Sequence, residues 1–230
     1  MWNVVRETTK SSAKTKEGAL RLSAHAPGGK VYVVDDDPAV RASLSELFRS
    51  VRLAVATYPS SQAFLDEVLE DVPSCLILDL NLPGPNGLDL QEQLRREGRG
   101  IPIIFITGYG DVSATVRAMK SGALDFLEKP FSDDALLSAV SAALARDEGA
   151  RAARSERAVI QGRFEELTPR ERQVMALVVQ GLLNKQIASE LGAAEQTIKI
   201  HRGRVMTKMR AQSVPDLVRM AEMVRDERTP

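Results

Sequence analysis

The sequence predicts an α/β domain built on a parallel sheet covered on both faces, followed by a smaller all-α domain. Three observations predict it. Residues 30–147 alternate short, continuously apolar runs with longer amphipathic ones, the pattern of buried parallel strands joined by crossover helices. Residues 164–226 show helical spacing with no strand-like run. The charge divides at the same place. Residues 29–149 carry eleven Lys/Arg against nineteen Asp/Glu, a net of −8, and residues 150–227 carry fourteen against ten, a net of +4, within a chain of 230 residues and zero formal charge. An acidic part joined to a basic part points to a different partner for each, the basic one being suited to a polyanion.

The elements follow in order. Lys30–Val34 is a β-branched run that ends in acids, and Ala39–Arg49 places Val40, Leu44, Leu47 and Phe48 on one helical face. Leu53–Thr57 is a second short strand. Ser60 or Ser61 then caps a helix expected to carry Phe64, Leu65, Val68 and Leu69. Cys75–Leu78 is the most apolar run and stops at Asp79. Pro83–Gly87 is a loop by its turn residues, and a helix follows through Leu88, Leu90 and Leu94. Ile103–Ile106 ends at Thr107. Helix Val112–Lys120, strand Ala123–Leu127 and a last helix from Asp133 to about Arg146 complete five strands and five helices. Residues 149–163 are rich in Arg, Ala and Glu and form a linker, with helix as one option. In the basic part, Thr168-Pro169-Arg170-Glu171 is a capping box with proline at the first helical position. Gly181 ends that helix. Asn184–Leu191, Gln196–Met209 and Val214–Val224 are three more, with Gly192 separating the first two.

Several function classes are excluded or disfavoured. The single cysteine, Cys75, rules out an intramolecular disulfide and any cysteine-rich zinc site, which fits a reducing, cytoplasmic setting. No stretch approaches the roughly 18 apolar residues of a membrane span. Residues 1–28 are polar, lack an apolar signal core and are expected to be a disordered extension.

The chemistry lies at the carboxyl ends of the strands, where open α/β sheets bind their ligands. Asp35, Asp36 and Asp79 follow two strands, and Thr107 and Lys129 follow two others. Crowded carboxylates repel unless a cation sits among them, and all-oxygen donors suit magnesium. Aspartate can also act as a nucleophile and form an aspartyl-phosphate, a transfer that needs mainly positioning and charge neutralisation. Lys129 offers a fixed positive charge, and Thr107 a hydroxyl for a phosphoryl oxygen. Each residue alone reads as a strand terminus, cap or surface group; the ordered set carries the case.

These residues, in the segments Val33–Pro38, Leu76–Pro83, Gly87, Ile106-Thr107-Gly108 and Phe126–Phe131, resemble the receiver domain of bacterial response regulators over residues 29–148. The resemblance implies a flavodoxin-like doubly wound fold and phosphorylation at Asp79. It implies Mg2+ held by Asp35, Asp36, Asp79 and the carbonyl of Asn81. It also implies that Thr107 and Lys129 touch the phosphoryl group and that Phe126 is the aromatic switch.

Residues 164–226 resemble the LuxR-type helix-turn-helix domain through Leu167–Glu171, Asn184–Ala188, Leu191-Gly192 and Thr197–His201, with His201-Arg202, Val205-Met206 and Lys208-Met209 pointing to the FixJ subgroup. The helix from Gln196 would enter the major groove. Lys199, Arg202, Arg204 and Lys208 are expected to give it a positive face, and Ile198, Val205 and Met209 a buried one. The resemblance places Lys199, Ile200 and Gly203 at base-facing positions and adds Thr197 and His201 to the contact set. Gly203 has no side chain to read a base, so Arg202 or Arg204 is a candidate to compensate.

Together these resemblances imply a transcription factor of the FixJ/NarL type. Its expected partners are a sensor histidine kinase, double-stranded promoter DNA and RNA polymerase, with a homodimer forming on phosphorylation. A phosphohydrolase is disfavoured because Asn81 stands where a second acid would serve as general acid. A DNA binder with a vestigial receiver is disfavoured by the intact set Asp35, Asp36, Asp79, Thr107 and Lys129.

Overall fold

The structure is a computed structural model that describes residues 28–108 and 112–225. The expected disordered extension therefore lies almost wholly outside the described residues. The chain divides into two compact units, the boundary falling between Arg151 and Ala152.

The first unit holds five strands: β1 (Lys30–Val34), β2 (Ala54–Tyr58), β3 (Ser74–Asp79), β4 (Ile103–Thr107) and β5 (Asp125–Glu128). Between and after them come α1 (Pro38–Ser50), α2 (Ser61–Leu65), α3 (Gly87–Arg96), α4 (Val112–Lys120) and α5 (Asp133–Glu165). The sheet is parallel with order β2-β1-β3-β4-β5, the flavodoxin-like arrangement. Alternation along the strands sorts the core into two layers. Val31, Val33, Ile77, Ile104 and Ile106 face α1 and α5, meeting Leu44, Phe48, Leu136 and Val140. Tyr32, Val34, Leu76, Leu78 and Phe105 face the other way, onto Phe64, Leu90, Leu94 and Ala118. Both faces are covered, which is why the central strands read as continuous apolar runs.

Three expectations change here. The helix after Ser60 stops at Leu65 instead of running on to Leu69, and Val68 is 86% exposed. The cause is Arg99, whose guanidinium donates to the carbonyls of Leu65 and Glu67 at 3.2 and 3.1 Å, while the amide of Glu70 donates to the Tyr32 hydroxyl. Backbone groups that would continue the helix are committed elsewhere. The last helix of the unit does not end at Arg146 but runs 33 residues to Glu165, taking in residues 149–163. Its Ala-, Arg- and Glu-rich sequence is intrinsically helix-forming and contains no proline. The strand expected at Ala123–Leu127 lies slightly later, at Asp125–Glu128.

The second unit packs the end of α5 with α6 (Pro169–Val179), α7 (Asn184–Glu190), α8 (Glu195–Met209) and α9 (Val214–Arg225). Thr168 caps α6, accepting from the Glu171 amide while Glu171 accepts from the Thr168 amide. Gly192 sits at φ 60° between α7 and α8, a left-handed turn that glycine adopts without strain. Ile198, Val205 and Met209 are fully buried and fix the rotation of α8.

Candidate functional site

Sheet register builds the acidic pocket. Val34 pairs with Leu78, so Asp35 leaves β1 level with Asp79, the last residue of β3. Asp79 pairs with Ile106, and Thr107 with Glu128, so Thr107 stands one row and Lys129 two rows further along the same edge. Carboxylate oxygens of Asp35, Asp36 and Asp79 lie within 4.8 Å of one another. Lys129 Nζ donates to Asp35 Oδ2 at 2.8 Å and to Asp79 Oδ2 at 3.0 Å. Asp79 Oδ1 accepts from the Asn81 amide at 3.1 Å, and Asn81 Nδ2 reaches Thr107 Oγ1 at 3.4 Å. Asp35, Asp79 and Thr107 are buried and Asp36 and Asn81 exposed, which leaves the pocket open on one side. Phe126 is half-buried on β5, opposite Phe105.

The charges reflect that crowding. Burial pushes the Asp35 carboxyl above its ordinary range, only partly opposed by Lys129 and slightly reinforced by Asp79. Burial alone would lower the Lys129 ammonium; its hydrogen bonds to Asp35 and Asp79 outweigh that and hold it above its ordinary value. Lys129 is thus a fixed cation between two carboxylates. Hard oxygen donors at this spacing fit magnesium, with the carboxylates of Asp35, Asp36 and Asp79 as the available set.

Some residues that shape the pocket were not singled out from sequence. Arg41 on α1 donates from one guanidinium nitrogen to the carbonyls of both Asp35 and Asp36, at 2.7 and 2.9 Å. Asp37 caps α1, and its amide is held by Asp35 Oδ1. Their signal was only the run Asp37-Pro38-Ala39-Val40-Arg41, where a cap precedes a proline and an arginine one turn in. Further off, buried Asp147 accepts from the Ser74 amide and from Arg151 Nε, and Arg151 also pairs with Asp71, tying α5 to the start of β3.

On α8, Thr197, Lys199, Ile200, Gly203 and Arg204 are exposed, and His201 and Arg202 are half-buried. Arg202 donates to Asn184 Oδ1 at the start of α7. Lys208 does not share the side of Lys199: nine residues separate them, half a turn out of phase at 3.6 residues per turn. Its ammonium instead meets Glu171 Oε2 at 2.7 Å and the Glu166 carbonyl at 3.0 Å. That bond holds the Glu171 carboxyl down at about 2. The expected four-residue positive face is therefore split.

The fold and pocket are those of a phosphoacceptor domain joined to a DNA-binding one, and comparison agrees. Residues 31–141 match the response regulator receiver domain family, and residues 165–221 match the bacterial regulatory proteins of the luxR family. Nodulation protein W of Bradyrhizobium diazoefficiens is 56% identical over 84% of this chain and 85% of its own length. The transcriptional regulatory protein FixJ of Azorhizobium caulinodans is 46% identical over 83% and 90%. Among solved structures, the response regulator StyR superposes with a TM-score of 0.76 at 45% identity, covering 85% of this chain and 98% of that one. The chain belongs to the response regulator family: it is a transcription factor with a receiver domain and a LuxR-type DNA-binding domain. That pairing of domains implies a histidine kinase and DNA as partners. Among the described residues no helix is long and apolar enough to cross a membrane.

Proposed function

We propose that a sensor histidine kinase phosphorylates this chain at Asp79, and that the modification promotes pairing of receivers and sequence-specific binding of promoter DNA. The carrying observation is the convergence of Asp79, Asp35 and Lys129 within hydrogen-bond distance at the open end of the sheet. An Asp79 carboxylate oxygen attacks the phosphorus of a kinase phosphohistidine; the new P–O bond forms as the P–N bond breaks and the imidazole departs. Lys129, already held against Asp79, would neutralise the charge gathering on the phosphoryl oxygens, and the Thr107 hydroxyl would donate to one of them. Bound Mg2+ would supply further charge neutralisation at the same oxygens, held by Asp35, Asp36, Asp79 and the Asn81 carbonyl. Withdrawal of Thr107 toward the phosphoryl group would open space for the half-buried Phe126 to turn inward. Exposed Val116 and Met119 on α4 offer apolar surface for a second receiver.

In this reading residues 1–28 are an extension, 29–148 the receiver, 149–163 the linker and 164–226 the DNA-binding domain. The protein works in the cytoplasm, as a regulator that recruits or contacts RNA polymerase rather than as an enzyme. Asn81, two residues beyond Asp79, gives no general acid for phosphohydrolase chemistry. The test is labelling with acetyl phosphate and Mg2+, followed by borohydride trapping and peptide mass mapping. Label confined to Asp79 is expected; label on another aspartate, or none, contradicts the assignment.

A further inference from the structure

Adjacent acids on a strand are poorly arranged to hold one ion. In an extended chain successive side chains point to opposite faces and successive carbonyls to opposite edges. Had β1 run on past Val34, the carboxylates of Asp35 and Asp36 would have parted. Instead the strand ends at Val34 and the chain bends at Asp36, and both carboxylates come within 4.8 Å of each other and of Asp79. The same bend brings the carbonyls of Asp35 and Asp36 to one side, where both accept from a single atom, Arg41 Nη1, at 2.7 and 2.9 Å. Arg41 is half-buried, and its amide donates to the carbonyl of Asp37, the residue that caps α1 ahead of Pro38. Its place is electrostatically poor in two respects. A cation one turn into a helix opposes the helix dipole, and a cation beside a metal site repels the metal. A residue kept against its own charge is explained by its hydrogen bonds.

We infer that Arg41 is a positioning residue for the magnesium site: by holding both carbonyls on one side it fixes the bend that aims Asp35 and Asp36 at the same ion, and so sets the affinity of the pocket and its preference for a small cation. Arg41 acts on the ion only through these main-chain bonds. Mg2+ requires near-octahedral oxygen donors at about 2.0–2.1 Å, whereas Ca2+ accepts looser geometry at about 2.3–2.6 Å. A clamp on the backbone of two ligands therefore matters most for the stricter ion. The inference rests on the Mg2+ site proposed above.

Calorimetric titration of the full-length chain with Mg2+ and with Ca2+ tests it, with Arg41→Met, Arg41→Lys and Asp36→Ala alongside and urea unfolding as the check on folding. Charge alone predicts that Arg41→Met, which removes a cation from beside the pocket, binds Mg2+ more tightly. The positioning role predicts the opposite sign: Mg2+ binding weaker by about tenfold or more, as when a group that orients a ligand is lost, and Ca2+ binding weakened less. Arg41→Lys should regain part of the loss, because one nitrogen makes both bonds and an ammonium nitrogen carries several donors. Labelling of Arg41→Met by acetyl phosphate should be slow at low Mg2+ and return toward wild type at saturating Mg2+. A wild type that binds no Mg2+, or an Asp36→Ala protein that binds it as well as wild type, overturns the metal reading itself. Where wild type binds and Asp36→Ala is weakened, an Arg41→Met protein that binds Mg2+ as tightly as wild type or tighter, or that loses Mg2+ and Ca2+ equally, overturns this inference alone. Should Arg41→Met fail to fold, Arg41→Lys decides: a larger loss for Mg2+ than for Ca2+ supports the inference, and equal losses or none overturn it.

Discussion

Gly87→Ala should destabilise the receiver and displace Asp79, although alanine is the better helix former. Gly87 opens α3 beneath the end of β3. A Cβ at this position would stand 2.5 Å from the Asp79 carbonyl oxygen, 3.0 Å from Phe105 Cε1 and 3.1 Å from Leu80 Cα. Comfortable non-bonded separation is about 3.5 Å, so roughly 1 Å must be found at the closest contact. Two of the three neighbours are backbone atoms, and no rotamer change relieves them. The amide of Gly87 also bonds the Leu80 carbonyl at 3.1 Å, which resists sliding α3 away. Overpacking of this kind costs about 1–3 kcal/mol, more than the propensity gain of at most about 1 kcal/mol. The strain falls on the residue whose Oδ1 is fixed by Asn81 and whose Oδ2 is fixed by Lys129. A shift of about 1 Å in a reacting group can cost on the order of a hundredfold in rate. Urea unfolding and the rate of acetyl phosphate labelling, followed by intact mass, read both effects. An unfolding midpoint at or above wild type, together with wild-type labelling, would refute the steric reasoning.

Two other perturbations test separate parts of the structure. Lys208→Ala strands the buried Glu171 carboxylate and should cost the DNA-binding domain about 1–3 kcal/mol in urea unfolding. Because the folded-state value of Glu171 is lowered to about 2 from 4.5, its contribution is complete above about 4.5 and fades as pH falls toward 2. The stability gap between wild type and Glu171→Gln should narrow accordingly, and a gap constant from about pH 6 to about pH 3 would contradict the pairing. Asp36→Ala removes an exposed carboxylate from the acidic pocket and should weaken Mg2+ binding by about tenfold or more in calorimetric titration, with unfolding unchanged; unaltered affinity would take Asp36 out of the site.

Much of this architecture was legible because its signals are local. Each chemical residue of the receiver stands directly after an apolar strand, so the strand pattern alone gathers Asp35, Asp79, Thr107 and Lys129 at one edge. The phase of α8 was legible from the spacing of Ile198, Val205 and Met209, and the start of α6 from the Thr168–Glu171 box. What escaped depends on partners distant in sequence. The early stop of α2 is imposed by Arg99, 34 residues beyond the carbonyl of Leu65 that it captures. Lys208, half a turn out of phase with Lys199, is taken up by Glu171, 37 residues earlier, which is buried and already bonded to its own cap. The support that Arg41 gives the acidic loop is main-chain recognition by a side chain, invisible to a reading of charges. The length of α5 was open because composition favours helix through residues 149–163 without any apolar stripe to announce it.

Asp79 is proposed to couple phosphorylation to DNA binding, and fluorescence anisotropy with a duplex selected by the full-length chain from a random pool tests it directly. Wild type and Asp79→Asn are titrated with and without acetyl phosphate and Mg2+. Affinity should rise on treatment in wild type and stay unchanged in Asp79→Asn. An equal rise in both proteins, or no rise in a wild-type sample shown by mass to carry the phosphoryl group, would contradict it.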